Sequence, residues 1–336
     1  MLIDTRTGAA RTMTRAPRVH EAVCWSPDGR WLCGVVEEEL RRAEIVLADR
    51  ETGEVEETTA GRPPARRRPF GFSADGSSLY LLTDEGREHL GLARLDLRAR
   101  KLDWLKLPDW DIDLACMSAD GRWILYFVNE DSIHRAHLLD RNSGTEPELP
   151  PLPMGACHAA SIAADGSRAA LVHSTARRPA EVCLLDLPRR ALRTITHGMV
   201  GGVPAEEMIE PEVVRYDSFD RKIPALLYVP RRKPGSGGFP ALLSLHGGPG
   251  AQERPDYHPL YQFLLSRGVL VLAPNIRGST GFGRAYHDLL RRDVGVGDVR
   301  DCAAAADWLR ARPDVDARRI GVFGESYGGF LALSCA

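Results

Sequence analysis

The chain has 336 residues, 43% of them apolar and 27% charged, and a net charge of −2. That length has room for about two domains with well-filled cores, and the near-neutral balance excludes a global field that would gather nucleic acid or anionic lipid. Seven scattered cysteines without a Cys-x-x-Cys motif give neither a disulfide framework nor a zinc site, and no run reaches the ~18 apolar residues of a membrane span, so the sequence reads as a soluble, cytoplasmic chain with buried free thiols.

From the start of the chain to about residue 203, one pattern recurs. Trp25-Ser26-Pro27-Asp28-Gly29, Phe72-Ser73-Ala74-Asp75-Gly76, Met117-Ser118-Ala119-Asp120-Gly121 and Ile162-Ala163-Ala164-Asp165-Gly166 place their glycines 47, 45 and 45 positions apart. Each Asp-Gly supplies a tight turn, because glycine accepts positive φ and aspartate bonds the local backbone. An apolar strand flanks each turn, and a second strand further along each unit ends at Asp49, Asp96, Asp140 or Asp186. A period near 45 with about four strands per unit matches the blades of a β-propeller. The segment Leu2-Ile3-Asp4-Thr5-Arg6-Thr7-Gly8 aligns with Leu47-Ala48-Asp49-Arg50-Glu51-Thr52-Gly53, an offset of 45, so the first residues read as the second half of a blade. The expectation is a partial propeller of about four WD40-like blades; either the first half-blade closes the ring against the last one or, the favoured reading, earlier blades are missing. Arg66-Arg67-Arg68 reads as a solvated loop, His134, His137, His158 and His173 as satisfied structural histidines, and Trp104 and Trp110 as blade packing.

Residues 204–211 read as a connection, with Glu206 and Glu207 in a solvated linker. Beyond it the period changes. Strands are expected over 212–216, 222–229, 241–245, 269–273 and 320–323, and helices over 257–267, 284–292, 298–311 and from 330 onward. Alternating strands and helices predict a parallel sheet covered on both faces, with the active site at the carboxyl ends of the strands.

Two motifs stand at such ends. Gly324-Glu325-Ser326-Tyr327-Gly328 lies between an apolar strand and a helix, the arrangement of a nucleophile elbow with Ser326 at its apex. His246-Gly247-Gly248-Pro249-Gly250 follows an earlier strand and offers backbone N–H groups to a developing oxyanion. The expected donors are the N–H groups of Gly248 and Tyr327, with Gly247 adjacent. His246 sits on the oxyanion side and reads as a poor base.

These motifs, together with Arg277-Gly278-Ser279-Thr280-Gly281-Phe282-Gly283, resemble the catalytic domain of prolyl-oligopeptidase (S9) family serine peptidases, nearest the acylaminoacyl-peptidase and dipeptidyl-peptidase-like branch. That family carries an N-terminal propeller, so the resemblance spans nearly the whole chain. It implies a partial β-propeller over residues 1–203 and the first portion of an α/β-hydrolase domain over 204–336. By resemblance Ser326 is the nucleophile and short peptides are the substrates; no metal or other cofactor is implied, and the charge balance and lack of a long apolar run leave no nucleic acid or membrane partner expected. Oligomeric state stays open. Asp220-Arg221 stands where the family usually has Asp-Gly, and Val294 where a Trp is common.

A serine nucleophile needs a base and a carboxylate to orient it, and in α/β-hydrolases both follow the serine. The ten residues after Ser326 contain no Asp, Glu or His. His258 and His287, on or near helices, and Asp298 and Asp301, read as helix-surface or helix-start carboxylates, are poor substitutes. The expectation is a fragment, cut at both ends and inactive alone, with the nucleophile strand open along its far side. Two other readings stay open here: a different α/β-hydrolase such as a proline iminopeptidase or carboxylesterase, and a non-catalytic propeller module with a hydrolase remnant.

Overall fold

A computed structural model describes residues 1–13, 21–39, 42–200, 204, 206–232, 234 and 236–335. The four Asp-Gly turns share one geometry. The N–H of Ser26, Ser73, Ser118 and Ala163 donates to the carbonyl five residues on, at 2.8, 2.8, 2.9 and 2.8 Å. The glycine three residues on donates back to the same residue's carbonyl at 2.8 to 2.9 Å. Gly29, Gly76, Gly121 and Gly166 have φ of 67, 71, 70 and 68°, the left-handed region that a side chain would strain.

Each turn joins the first two strands of an antiparallel sheet. After a hairpin of β1 (Leu2–Ile3) and β2 (Ala10–Arg11), the first full sheet holds β3 (Glu21–Trp25), β4 (Trp31–Glu39), β5 (Arg42–Asp49) and β6 (Val55–Glu57) in sequence order. The second holds β7 (Arg67–Phe72), β8 (Ser78–Thr83), β9 (Gly91–Asp96) and β10 (Leu102–Lys106). The third has three strands, β11 (Ile112–Met117), β12 (Trp123–Glu130) and β13 (Ile133–Asp140), one fewer than the repeat leads one to expect. The fourth holds β14 (Gly155–Ile162), β15 (Arg168–Thr175), β16 (Arg178–Asp186) and β17 (Ala191–Thr194). The alignment of the first residues with the end of a unit holds at the level of atoms: Gly8 N–H donates to Asp4 O at 2.8 Å as Gly53 N–H does to Asp49 O at 3.0 Å.

Successive sheets share a core. Cys33, Ile45 and Leu47 of one interlock with Phe72, Leu79, Leu81, Ala93 and Leu95 of the next, with Trp104 packed at the margin. Part of the arginine run departs from the solvated loop expected of it. Arg66 and Arg67 are buried and only Arg68 is exposed. Arg66 pairs with Asp84 at 2.8 Å and Asp111 at 3.0 Å, and Arg67 with Glu85 at 2.7 Å. Acidic partners in the loops after β8 and before β11, buried at Asp84 and Asp111 and half-buried at Glu85, make burial of these charges possible. The thiols also divide. Cys33, Cys157, Cys183 and Cys302 are buried, Cys24 and Cys116 half-buried, and Cys335 exposed.

The remaining strands form one five-stranded sheet. β18 (Glu212–Asp217), β19 (Lys222–Tyr228), β20 (Phe239–Leu245), β21 (Leu270–Pro274) and β22 (Val315–Gly324) lie in the order β18-β19-β21-β20-β22. The sheet is mixed rather than all parallel: β18 with β19 and β19 with β21 are antiparallel, while β20 is parallel to both β21 and β22. The short turn at Asp220-Arg221 can join only antiparallel neighbours. Between the strands run α1 (Pro259–Ser266), α2 (Gly283–Asp293), α3 (Gly297–Arg310) and, last, α4 (Tyr327–Ser334).

Alternation along the strands sorts side chains to two faces. Leu226, Tyr228, Val271 and Ala273 meet Tyr261 and Leu265 of α1. Ala225, Leu227, Leu270 and Leu272 meet Cys302, Ala305 and Leu309 of α3 and Leu331 of α4. Among the described residues β22 has a neighbour on one side only, and Val322 and Phe323 are 37% and 41% exposed. No described helix is long and apolar enough to cross a membrane.

The chain separates into two compact units: Met1–Tyr126 with His137–Glu148 and Ser161–Arg168, and Phe127–Ala136 with Leu149–Ala160 and Ala169–Ala336. The domain boundary expected at 203/204 falls against residues 201–203 and 205, outside the described residues. Glu206 and Glu207 are exposed.

Candidate active site

The parallel register pairs Leu245 of β20 with Gly324 of β22. The carboxyl ends of these strands are therefore neighbours, and so are the loops that leave them. Ser326 sits between β22 and α4 with φ 55° and ψ −121°, a conformation rare for any residue but glycine, and its side chain is exposed. Such a backbone costs about 1–3 kcal/mol and persists only where its surroundings enforce it. A β-carbon at Gly324 would stand 2.2 Å from Gly328 O, and one at Gly328 would stand 2.0 Å from Leu245 O. Both flanks of the elbow are closed to any side chain. The helix begins at once: Phe330 N–H donates to Ser326 O at 3.1 Å, which makes Ser326 the N-cap of α4. The strand is longer than the sequence implies, running from Val315, and the helix starts three residues earlier than expected.

The glycine-rich loop comes up against this elbow. A β-carbon at Gly247 would lie 3.3 Å from Ser326 Cβ and 3.0 Å from Glu325 O. Gly248 is exposed, has φ +52°, and accepts a hydrogen bond from Ala251 N–H at 2.7 Å. Tyr327 directs its side chain to α3, where its hydroxyl donates to Asp298. Burial, together with that carboxylate, pushes the phenol pKa up. The structure thus brings Gly247, Gly248, Ser326 and Tyr327 to one place.

The other candidates are placed differently. Asp298 and Asp301 are fully buried rather than on the helix surface, although Asp298 does stand in the first turn of α3, at the helix start. Asp301 accepts from Arg277 Nε and Nη2 at 2.8 Å each, from Arg277 N–H at 3.0 Å and from Ser218 Oγ at 2.7 Å. Arg277 also reaches Asp220 at 2.8 Å, so the turn at Asp220-Arg221 has an electrostatic partner in the loop that follows β21. His258 stacks on Tyr261 at 3.9 Å. His287 is buried, with its Nε2 3.1 Å from the point a Gly250 β-carbon would occupy. His246 is held at both nitrogens, Nδ1 3.0 Å from Gly247 O and Nε2 2.9 Å from Ser279 Oγ, and burial lowers its pKa.

Among the strand histidines, His134 Nδ1 accepts from Cys157 N–H at 3.0 Å, His137 stacks on Tyr126, and His158 pairs with Asp256 at 3.0 Å. His173 differs from the expectation, because its buried Nε2 has no hydrogen-bond partner. Among the described residues no group of three or more His, Cys, Asp or Glu could hold a metal.

Sequence reasoning missed Glu253. It follows the glycine-rich loop, lies 3.3 Å from the Tyr261 hydroxyl, and burial pushes its pKa up to about 7. Only its proximity in sequence to Gly250 could have drawn attention to it. Its neighbours fix the segment: Glu253 N–H donates to Asn275 Oδ1 at 2.7 Å, and Gln252 Nε2 donates to Ser132 Oγ at 3.1 Å.

Comparison with known proteins gives the same direction. Residues 256–336 match the prolyl oligopeptidase family. The uncharacterized peptidase YuxL of Bacillus subtilis is 34% identical over 123 residues, 36% of this chain and 19% of that protein. Acylamino-acid-releasing enzyme 2 of Oryza sativa is 40% identical over 92 residues, 27% of this chain and 12% of that protein. The crystal structure of a puromycin hydrolase superposes with a TM-score of 0.85 at 26% identity, over 98% of this chain and 52% of that one. The chain thus spans about half the length of the solved relative it matches.

Proposed function

We propose that this chain, whose residues 256–336 belong to the prolyl oligopeptidase family, carries the nucleophile and oxyanion donors of a serine peptidase acting on short peptides. On this reading Ser326 Oγ attacks the scissile carbonyl carbon, and the carbonyl oxygen becomes an oxyanion accepting from the N–H groups of Gly248 and Tyr327. An acyl-enzyme forms on Ser326 and water releases it. On the same reading the repeated sheets are blades of a propeller. The names of the relatives, a peptidase, an acylamino-acid-releasing enzyme and a hydrolase, support the reaction class.

One observation carries the reading: Ser326 is exposed on a strained elbow, within 3.3 Å of the position a Gly247 side chain would need. Strain at a solvent-facing serine whose side chain makes no capping hydrogen bond, with a glycine loop pressed against it, is the arrangement a nucleophile elbow needs. His246 is not the base, because both of its nitrogens are engaged away from Ser326. The test is labelling of the gene product that contains these residues with a fluorophosphonate. Labelling that disappears in Ser326→Ala supports the reading, and labelling that persists in the variant refutes it.

A further inference from the structure

We propose that His246 is a positioning residue for the oxyanion site: its Nδ1–H donates to the Gly247 carbonyl and fixes the Gly247–Gly248 peptide, while the Ser279 hydroxyl donates to Nε2 and fixes the ring. The inference rests on Gly248 being an oxyanion donor. It adds a role for His246 and for the Arg277-Gly278-Ser279 loop.

The proton positions follow from what each atom can do. A carbonyl oxygen only accepts, so Gly247 O at 3.0 Å calls for a proton on Nδ1. Burial disfavours the charged ring and lowers its pKa, so Nε2 is then an acceptor. Ser279 Oγ, 2.9 Å from Nε2, must supply the proton. That hydroxyl also lies 2.7 Å from Ile276 O, which could compete for it. Ile276 O, however, already accepts the Ser279 N–H at 3.0 Å. Turning the hydroxyl to His246 therefore leaves no carbonyl without a partner. The opposite tautomer would set the Nδ1 lone pair against Gly247 O.

Ser279 is a firm support for the ring. It is fully buried, and two residues earlier the Arg277 N–H and guanidinium are held by Asp301 at 2.8 to 3.0 Å. In a trans peptide the C=O and N–H point in opposite directions. Holding Gly247 O toward the ring therefore turns Gly248 N–H away from it. Glycine at both positions leaves this peptide free to rotate unless something holds it.

The first measurement is long-range 1H–15N NMR of the full chain labelled with [15N]histidine, with the His246 signals assigned through His246→Asn. The expected result is a protonated Nδ1 and an unprotonated, hydrogen-bonded Nε2 whose resonance moves to that of a free acceptor in Ser279→Ala. A proton on Nε2 at neutral pH overturns the inference. The second uses the gene product that contains residues 1–336. His246→Ala is expected to lower kcat about 30- to 100-fold with KM unchanged within about twofold, approaching the loss of an oxyanion donor. His246→Asn, whose amide can overlie Nδ1–H, is expected to restore kcat to within about fivefold of wild type, the smaller deficit that remains when the donor is kept. Equal losses in both variants overturn the positioning role. If the wild-type product modifies no serine, the peptidase reading fails, while the NMR result still decides where the His246 proton sits.

Discussion

Gly328 lies so close to Leu245 that a methyl group on its α-carbon would stand 2.0 Å from the Leu245 carbonyl oxygen. The contact holds the first turn of α4 against the end of β20, and it is what sharpens the bend at Ser326. Gly329, one residue on, has no such constraint, since its β-carbon would meet Gly324 O at 3.4 Å. Gly328→Ala is therefore expected to destabilise the chain by about 3 kcal/mol or more, because backbone must move. Gly329→Ala is expected to stay within about 1 kcal/mol. Thermal melting of the two variants beside the parent checks this, and equal shifts would contradict it.

Asp301 and Arg277 form a buried ion pair closed by two side-chain contacts at 2.8 Å. Asp301→Asn leaves the guanidinium short of countercharge and is expected to cost about 3–5 kcal/mol. Asp307 pairs with Arg310 at the surface, with side chains 76% and 55% exposed. Asp307→Asn is expected to change stability by less than about 0.5 kcal/mol. Comparable melting temperatures for the two variants would refute the assignment of Asp301 as the anchor of the loop after β21.

Glu253 gives a pH signature. Its folded pKa of about 7 lies above the ordinary 4.5. The folded chain therefore binds more protons than the unfolded chain between those values, and stability falls as pH rises through that window. Glu253→Gln removes the penalty. It is expected to melt with the wild type at pH 4 and above it at pH 8, by on the order of 2–3 kcal/mol. A difference that is constant with pH would contradict the burial of this carboxyl.

Much of this was legible in residue order. The Asp-Gly turns announced themselves because glycine at positive φ and a local aspartate bond are short-range necessities, and four near-identical turns followed. The elbow was legible for the same reason, since Gly324 and Gly328 leave room for backbone that nothing else could. What escaped was long-range pairing. Arg66 and Arg67 looked solvated because Asp84, Asp111 and Glu85 are distant in sequence. Asp298 and Asp301 read as helix-surface or helix-start carboxylates, and their burial against Tyr327 and Arg277 left no trace in residue order. The mixed sheet escaped because alternation of strand and helix says nothing about the direction of β19. Glu253 carried no pattern at all, since its pKa is a property of burial.

The account turns on Ser326 attacking with two backbone donors beside it. Its most direct test is a crystal structure of the gene product containing these residues after reaction with a phosphonate ester. The expected result is phosphorus bonded to Ser326 Oγ, with one phosphonyl oxygen about 2.7–3.1 Å from both Gly248 N and Tyr327 N. An adduct on another residue, or a phosphonyl oxygen turned away from Gly248, would contradict it.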